Sequence, residues 1–297
     1  MKRRFNKIAI SLLSASLVMG FALKPSEVFA DSGPYISFGE DLTADQKQAV
    51  LELMGIEDFD EDLYTVNYVS NKEEHEYLDD YLPTSKIGSK ALSSVLVEDA
   101  DTGSGITVTT KNINYCTSGM YANALATAGV DDVDVIVAAP FEISGTAALI
   151  GAAKAYSDME GEEVDEDLID GAIDEMVTTG EIEEDLTEDE ASSLEVVIAD
   201  LKSKIASGEI SSDELEDAIR NTASEYDLEL TDEQVAKIKS LLDKLSGLNL
   251  DVGSIASQAE SLADQVGEVL NDAAGNSGGF FGAIADFFKG ILSFFGF

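Results

Sequence analysis

A thiol nucleophile needs a base, and this chain offers a single pairing, because Cys116 is its only cysteine and His75 its only histidine. A thiol–imidazole pair would bring the nucleophilic chemistry of extracellular transpeptidases. His75, however, stands between Glu74 and Glu76 in a polar stretch and reads as a solvated surface histidine. A lone cysteine reads as a small buried core residue. Asp101-Thr102-Gly103-Ser104 is the aspartic-protease tetrapeptide, whose chemistry needs two such loops sharing one proton. The companion at Asp31-Ser32-Gly33 has no strand before it. Val97-Glu98-Asp99-Ala100 also lacks the apolar approach that buries a catalytic loop, so Asp101 and Gly103 read as turn residues. Ser-x-x-Lys, Gly-x-Ser-x-Gly and P-loop patterns do not occur, and one histidine makes a His-based zinc site untenable. Residues 208–215 echo the second half of an EF-hand loop. Ser203, Ile205 and Ser207 then fall where the first ligands belong and cannot build an oxygen cage. No cofactor or metal site is expected, beyond weak, diffuse Ca²⁺ association with acidic surface.

One pairing of segments retains chemical interest. Tyr115-Cys116-Thr117-Ser118-Gly119 and Phe141-Glu142-Ile143-Ser144-Gly145-Thr146 are both strand-to-helix turns rich in Ser, Thr and Gly. In α/β sheets ligands gather where strands end and helices begin, because free backbone N–H groups point there. If both turns lie on one edge, Thr117, Ser118, Ser144 and Thr146 line a pocket for an anion or a glycan. The competing reading is that these hydroxyls only cap helices.

The elements that must position these turns follow from periodicity and caps. Thr43 and Gln46 form a capping box and Gly55 closes the helix that they open. Tyr64 to Val69 reads as a strand, and Asn71 with Glu74 starts a short helix that Pro83 stops. Ala91 to Glu98, an Asp-Ala-Asp-Thr-Gly-Ser-Gly turn and Ile106 to Ile113 read as a hairpin. A helix over 120–128, a buried strand over 133–138 and a helix over 146–159 complete a βαβ-type unit. From residue 155 to 201 there are nineteen acidic residues and no lysine or arginine. Leu194, Val197, Ile198, Leu201 and Ile205, and later Val235, Ile238, Leu241, Leu242 and Leu245, keep helical spacing there. Boxes recur at Thr187/Glu190, Ser211/Glu214 and Thr231/Gln234, so this region reads as helices whose solvated faces are acidic. The fold class is α+β or α/β: a small mixed sheet flanked by helices over 31–160, then an acidic all-helical region over 161–270. A tether at 271–279 and a C-terminal amphipathic helix at 280–297 follow.

Both ends carry apolar signals. Lys2, Arg3, Arg4 and Lys7 precede an apolar run and a small-x-small site at Val28-Phe29-Ala30, the pattern of a secretory signal peptide cleaved after Ala30. Its removal takes five of 18 basic residues and one of 59 acidic, leaving 13 against 58 and a formal charge of −45. Nucleic acid is excluded as a partner by that charge, and anionic lipid headgroups are repelled. At the other end, Phe-Phe pairs recur every seven positions. Phe280, Phe281, Ile284, Phe287, Phe288, Ile291, Leu292, Phe294 and Phe295 share one helical arc of about 160°. This surface is expected to be covered by the protein's own helices, by a membrane interface or by another chain, self-association included.

The segments SFGEDLTADQ (37–46), SNKEEHEYL (70–78), IGSKALSSVLV (87–97) and MYANALATAGVDDVDVIVAAPFEISGTAALIGAAKAY (120–156) resemble the YpuA-like family. This is a domain of unknown function in exported proteins of Gram-positive Firmicutes. The resemblance is close over about 35–156 and looser through the acidic helices. It implies a protein at or near the cell envelope and supplies no catalytic residues. Cys116 departs from the family pattern, where a hydroxyl or apolar residue is usual. The resulting expectation is an exported envelope protein, extracellular or envelope-associated, that binds or scaffolds rather than catalyses. An envelope hydrolase with its pocket at the Ser/Thr-rich turns is the alternative.

Overall fold

The computed structural model describes residues 34–160 and 165–274. The signal-peptide pattern and the Phe-rich segment 280–297 lie outside the described residues. Five strands, β1 (Tyr35–Gly39), β2 (Thr65–Val69), β3 (Ser94–Asp99), β4 (Ile106–Ile113) and β5 (Val133–Ile143), form one mixed sheet in the order β2-β1-β3-β5-β4. β1 runs parallel to β2 and β4 parallel to β5, while β3 is antiparallel to both β1 and β5. The sheet interior reads as short β-branched runs. Val95 and Val97 on β3 and Val133, Val135 and Val137 on β5 are buried on one face, with Leu96 and Ala138 on the other.

The expected β3–β4 hairpin does not form: β5 is inserted between the two strands and pairs with each. The turn signal at 99–105 is real, but it connects strands that are not neighbours. Gly103 and Gly105 donate their N–H groups to the Asp132 carboxylate at 2.8 and 2.9 Å, which pins the connection to the start of β5. Pro140 stands in β5 beyond Ala138, where pairing with β3 has ended, so its missing N–H leaves no ladder bond unmade.

Helices cover the sheet unequally. α1 (Ala44–Leu53) packs on one face, where Ile36, Phe38, Val50, Leu51 and Met54 form a small core. Its Thr43–Gln46 capping box is present as expected. α4 (Ser118–Thr127) and α5 (Thr146–Glu160) cover the opposite face. The short α2 (Asn71–Leu78) and α3 (Thr84–Ile87) lie between β2 and β3 in the chain. The capping pair of α2 is Ser70 with Glu73, one residue earlier than Asn71 with Glu74, and this correction frees Glu74 for another role.

The C-terminal half is helical: α6 (Glu166–Glu183), α7 (Glu188–Ala206), α8 (Leu215–Glu225), α9 (Asp232–Leu245) and α10 (Val252–Ala274). The boxes at Thr187/Glu190, Ser211/Glu214 and Thr231/Gln234 are all formed. The positions with helical spacing, Leu194, Val197, Ile198 and Leu201 among them, sit at the centre of a second core with Ile238, Leu242 and Leu245. α10 continues through Ala274, into the segment read from sequence as tether. The change of composition near residue 160 is not a break in packing. Ala172, Ile173, Met176, Val177 and Ile255 belong to the same core as the sheet and α4. Nor are the acidic helices solvated on every charged residue: Glu175, Glu195 and Asp200 are buried.

Candidate functional site at the strand ends

β1, β2, β4 and β5 all point the same way, so α1, α2, α4 and α5 begin on a single edge of the sheet. The two hydroxyl-rich turns are adjacent there. Ile113 is in register with Ile143, Asn114 N–H donates to the Ile143 carbonyl at 2.9 Å, and Cys116 N–H donates to the Ser144 carbonyl at 3.1 Å.

Only one of the two turns opens outward. A cleft of about 540 Å³ is lined by Ser144, Gly145 and Thr146 from the β5–α5 turn, by Asn114 and Tyr115, by Glu74 of α2, and by residues 85–90 with Leu92 and Ser93. That size suits a small organic ligand. Thr117 and Ser118 are not part of it. Thr117 caps α4 by accepting the Met120 N–H at 3.1 Å, and its hydroxyl donates to the Glu195 carboxylate from α7. The α7 carboxylate also closes over Gly119, where a Cβ would collide with Glu195 Oε2. Of the four hydroxyls proposed from sequence, Ser144 and Thr146 therefore share a cleft, while Thr117 is engaged by α7 and Ser118 does not line it.

The group at the base of the cleft is Glu74, which is 2 % exposed. Thr146 Oγ1 donates to its Oε1 and Asn71 Nδ2 to its Oε2, both at 3.1 Å. Burial pushes its pKa up to about 7, against the lowering effect of these two hydrogen bonds. Near neutral pH the carboxyl is thus balanced between accepting and donating a proton. Ser144 Oγ lies 3.4 Å from Thr146 Oγ1, extending the polar line. Gly145 has φ +95°, and a Cβ there would meet Tyr121 Oη at 2.5 Å, so the turn requires glycine.

Two lysines stand at the rim of an otherwise acidic molecule. Lys86 pairs with Glu184 at 2.7 Å and lies 4.3 Å over the Tyr115 ring. Lys90 is exposed and has no ion-pair partner among the described residues. His75 fixes the intervening loop: its Nε2 is 3.1 Å from the Gly88 carbonyl and its Nδ1 is 2.6 Å from Asp79 Oδ1, a partner that raises its pKa. Both ring nitrogens are occupied, so His75 is a half-buried loop tether rather than a freely solvated side chain. Cys116 is buried, and that burial pushes its thiol up to about 12. A thiolate nucleophile is not available there.

Two further clusters escaped sequence reading. Behind the closed turn, burial pushes Glu195 up to about 7, and burial with the neighbouring Glu195 charge pushes Glu183 up to about 9. In the helical half, Lys202 is fully buried and donates to Glu175 Oε1 at 2.8 Å, Thr127 Oγ1 at 2.9 Å and the Asn123 carbonyl at 2.7 Å. Burial lowers the Lys202 pKa and raises that of Glu175, each against the pull of its partner. The available signal was positional: Lys202 follows Ile198 by four residues and so borders the apolar stripe of α7. Among the described residues no group of three or more His, Cys, Asp or Glu is placed to hold a metal ion. No described helix is long and apolar enough to cross a membrane.

Fold and site together define a mixed-sheet α/β protein with a polar strand-end cleft and an all-helical C-terminal half packed on the same core. The chain belongs to the family described as "Protein of unknown function (DUF1002)", whose model matches residues 38–262. It is similar to the uncharacterized protein YpuA of Bacillus subtilis (strain 168), with 37 % identity over 288 residues that cover 96 % of each chain. No solved structure matches it.

Proposed function

We propose that this is an exported binding protein that takes a hydroxyl-rich ligand, of the glycan class, in the strand-end cleft. The observation that carries the reading is the buried Glu74 carboxyl, held by Thr146 and Asn71 at the base of a cleft open to solvent. A sugar presents paired donors and acceptors, and Glu74, Ser144 and Asn114 offer the complementary set, with Tyr115 as an apolar wall. Lys90, exposed and without an ion-pair partner among the described residues, adds a cation for an acidic substituent on such a ligand. Hydrolysis is the weaker reading. Two-carboxylate chemistry needs a second acid facing the first, and Glu74 is the only carboxylate among the lining residues.

Location follows from the chain ends in the same proposal. The signal-peptide pattern directs export, and the apolar face from Phe280 to Phe295 holds the protein at a membrane interface or a partner. The test of the cleft is binding of the secreted chain to an array of neutral and acidic oligosaccharides, repeated with Glu74→Gln and Lys90→Glu. Saturable binding that Glu74→Gln weakens about tenfold or more, with its pH dependence near neutrality removed, supports the reading. Binding that neither substitution alters, or no binding across the array, refutes it.

A further inference from the structure

Lys47 of α1 makes an unusual choice of partners. Its ammonium lies 4.0 Å from the centre of the Phe38 ring, 5.1 Å from that of Phe59 and 5.5 Å from that of Tyr68, and it donates to Tyr68 Oη at 3.3 Å. The hollow beside it, about 460 Å³, is lined by Lys47 itself, by Phe59 and by Glu57, Asp58 and Asp60. Yet Lys47 has no carboxylate ion pair among the described residues. An ammonium with three acids at the same hollow has settled on three rings instead.

The rings are built into the fold. Phe38 and Tyr68 are register partners on β1 and β2, so their side chains stand side by side on the sheet face that α1 covers. Phe59, from the loop after α1, meets Phe38 edge-on with centroids 5.8 Å apart and interplanar angle 89°. Tyr64 backs Phe59 at 5.1 Å. Phe38 is 1 % exposed while Tyr68 is 45 % exposed, so the box has a buried wall and an open side. Aromatic walls around a cation, with acidic residues nearby to raise the local cation concentration, are the chemistry by which proteins hold organic ammonium groups.

We propose that this box is a binding site for a small organic ammonium ion, such as a quaternary or methylated amine, and that Lys47 is its tethered occupant in the free protein. A ligand ammonium takes the position of the Lys47 Nζ over Phe38 and Phe59, and the flexible lysine stem swings out toward Glu57, Asp58 and Asp60. Acids around the hollow thus serve twice, drawing in the ligand and receiving the displaced lysine. The site lies apart from the strand-end cleft and does not depend on the function proposed for it.

The wild-type full chain, titrated with tetramethylammonium chloride against a sodium chloride control, tests the exchange by NMR. The Lys47 Hε protons, ring-shifted in the free protein, should move toward ordinary lysine positions in a saturable way with the organic cation and not with sodium. Lys47→Ala should bind tetramethylammonium about tenfold more tightly than the wild type, since no internal cation competes. Adding Phe59→Ala to that variant should abolish the gain, with circular dichroism confirming that both remain folded. Choline and phosphatidylcholine vesicles distinguish a free solute from a lipid headgroup, each being positive only if Phe59→Ala removes the binding. Lys47 resonances that respond equally to sodium and tetramethylammonium, or affinity unchanged by Phe59→Ala, overturn the proposal.

Discussion

The Lys202–Glu175 pair allows a quantitative prediction. Both groups are fully buried, and the ammonium spends its three donors on Glu175, Thr127 and the Asn123 carbonyl. Burial outweighs mutual attraction for each partner, since it raises the acid and lowers the base. Removing one partner leaves the other charge buried with no counterion. Lys202→Met or Glu175→Leu alone should therefore cost about 3–5 kcal/mol, a large part of the roughly 5–15 kcal/mol that holds a protein folded. The double variant Lys202→Met/Glu175→Leu removes both charges and fills the space with carbon. Thr127 can then return its hydroxyl to the Asn123 carbonyl one turn earlier. Its stability should lie within about 1 kcal/mol of wild type. Equilibrium urea unfolding followed by helix circular dichroism measures all four corners of the cycle. The Lys202→Met loss should also shrink at about pH 5, where the stranded carboxyl can take up a proton. A double variant as unstable as the two single losses added together would falsify the account of a burial-dominated pair.

Two further outcomes follow from described groups, and a third from the C-terminal sequence. Glu74 and Glu195, raised to about 7, and Glu183, raised to about 9, hold protons in the folded state that unfolded carboxyls release near 4.5. Their contribution to stability is complete below that value and lost as pH climbs through 7 and then 9, so melting temperature should fall from about pH 5 to 9, and Glu183→Gln should flatten the upper part of the curve. An unchanged slope in that variant would dismiss the assignment. Cys116, buried with a thiol near 12, should resist Ellman's reagent in the native protein and react fully in denaturant; equal rates in both would show the thiol to be accessible. Finally, cells expressing the full chain should retain it in a membrane-associated or assembled fraction, and a chain ending at Gly279 should be released as soluble monomer. Identical fractionation would leave the Phe-rich segment without a role in location.

Local signals proved the most legible. Capping boxes at Thr43, Thr187, Ser211 and Thr231 formed as read, because a hydroxyl and a carboxyl or amide three residues apart settle a helix start without reference to the rest of the fold. Pairing between distant segments was not legible in the same way. Nothing in the turn at 99–105 reveals that β5 will enter between β3 and β4, since strand order depends on which apolar faces meet in three dimensions. β1 was unread because Tyr35–Gly39 is five residues long and buried throughout, so it shows no alternation. In the candidate site, the shared strand-to-helix character of the two turns raised a common edge only as a condition, and the strand directions meet it. That α7 would seal Thr117 could not be foreseen, because Glu195 reaches it across 78 positions of sequence. One-residue precision was also lost at Ser70/Glu73, where adjacent acids offer equivalent boxes and burial chooses between them.

The burial of α4 has a consequence for the order in which the chain can acquire its structure. Nine of its ten residues are buried, between the sheet on one side and α6, α7 and α10 on the other. A chain emerging from its N-terminus can assemble the strands once residue 143 is free, yet α4 then presents an uncovered apolar back, and Lys202 has not arrived to bond the Asn123 carbonyl. The last strong contacts come from α10, near Ile255 and Ala259. Native packing of α4 therefore waits for the C-terminal helices, and a nascent chain keeps that apolar back uncovered until they follow. Helices that read from sequence as an acidic region after the sheet act in this sense as the final step that commits the sheet domain to its native state.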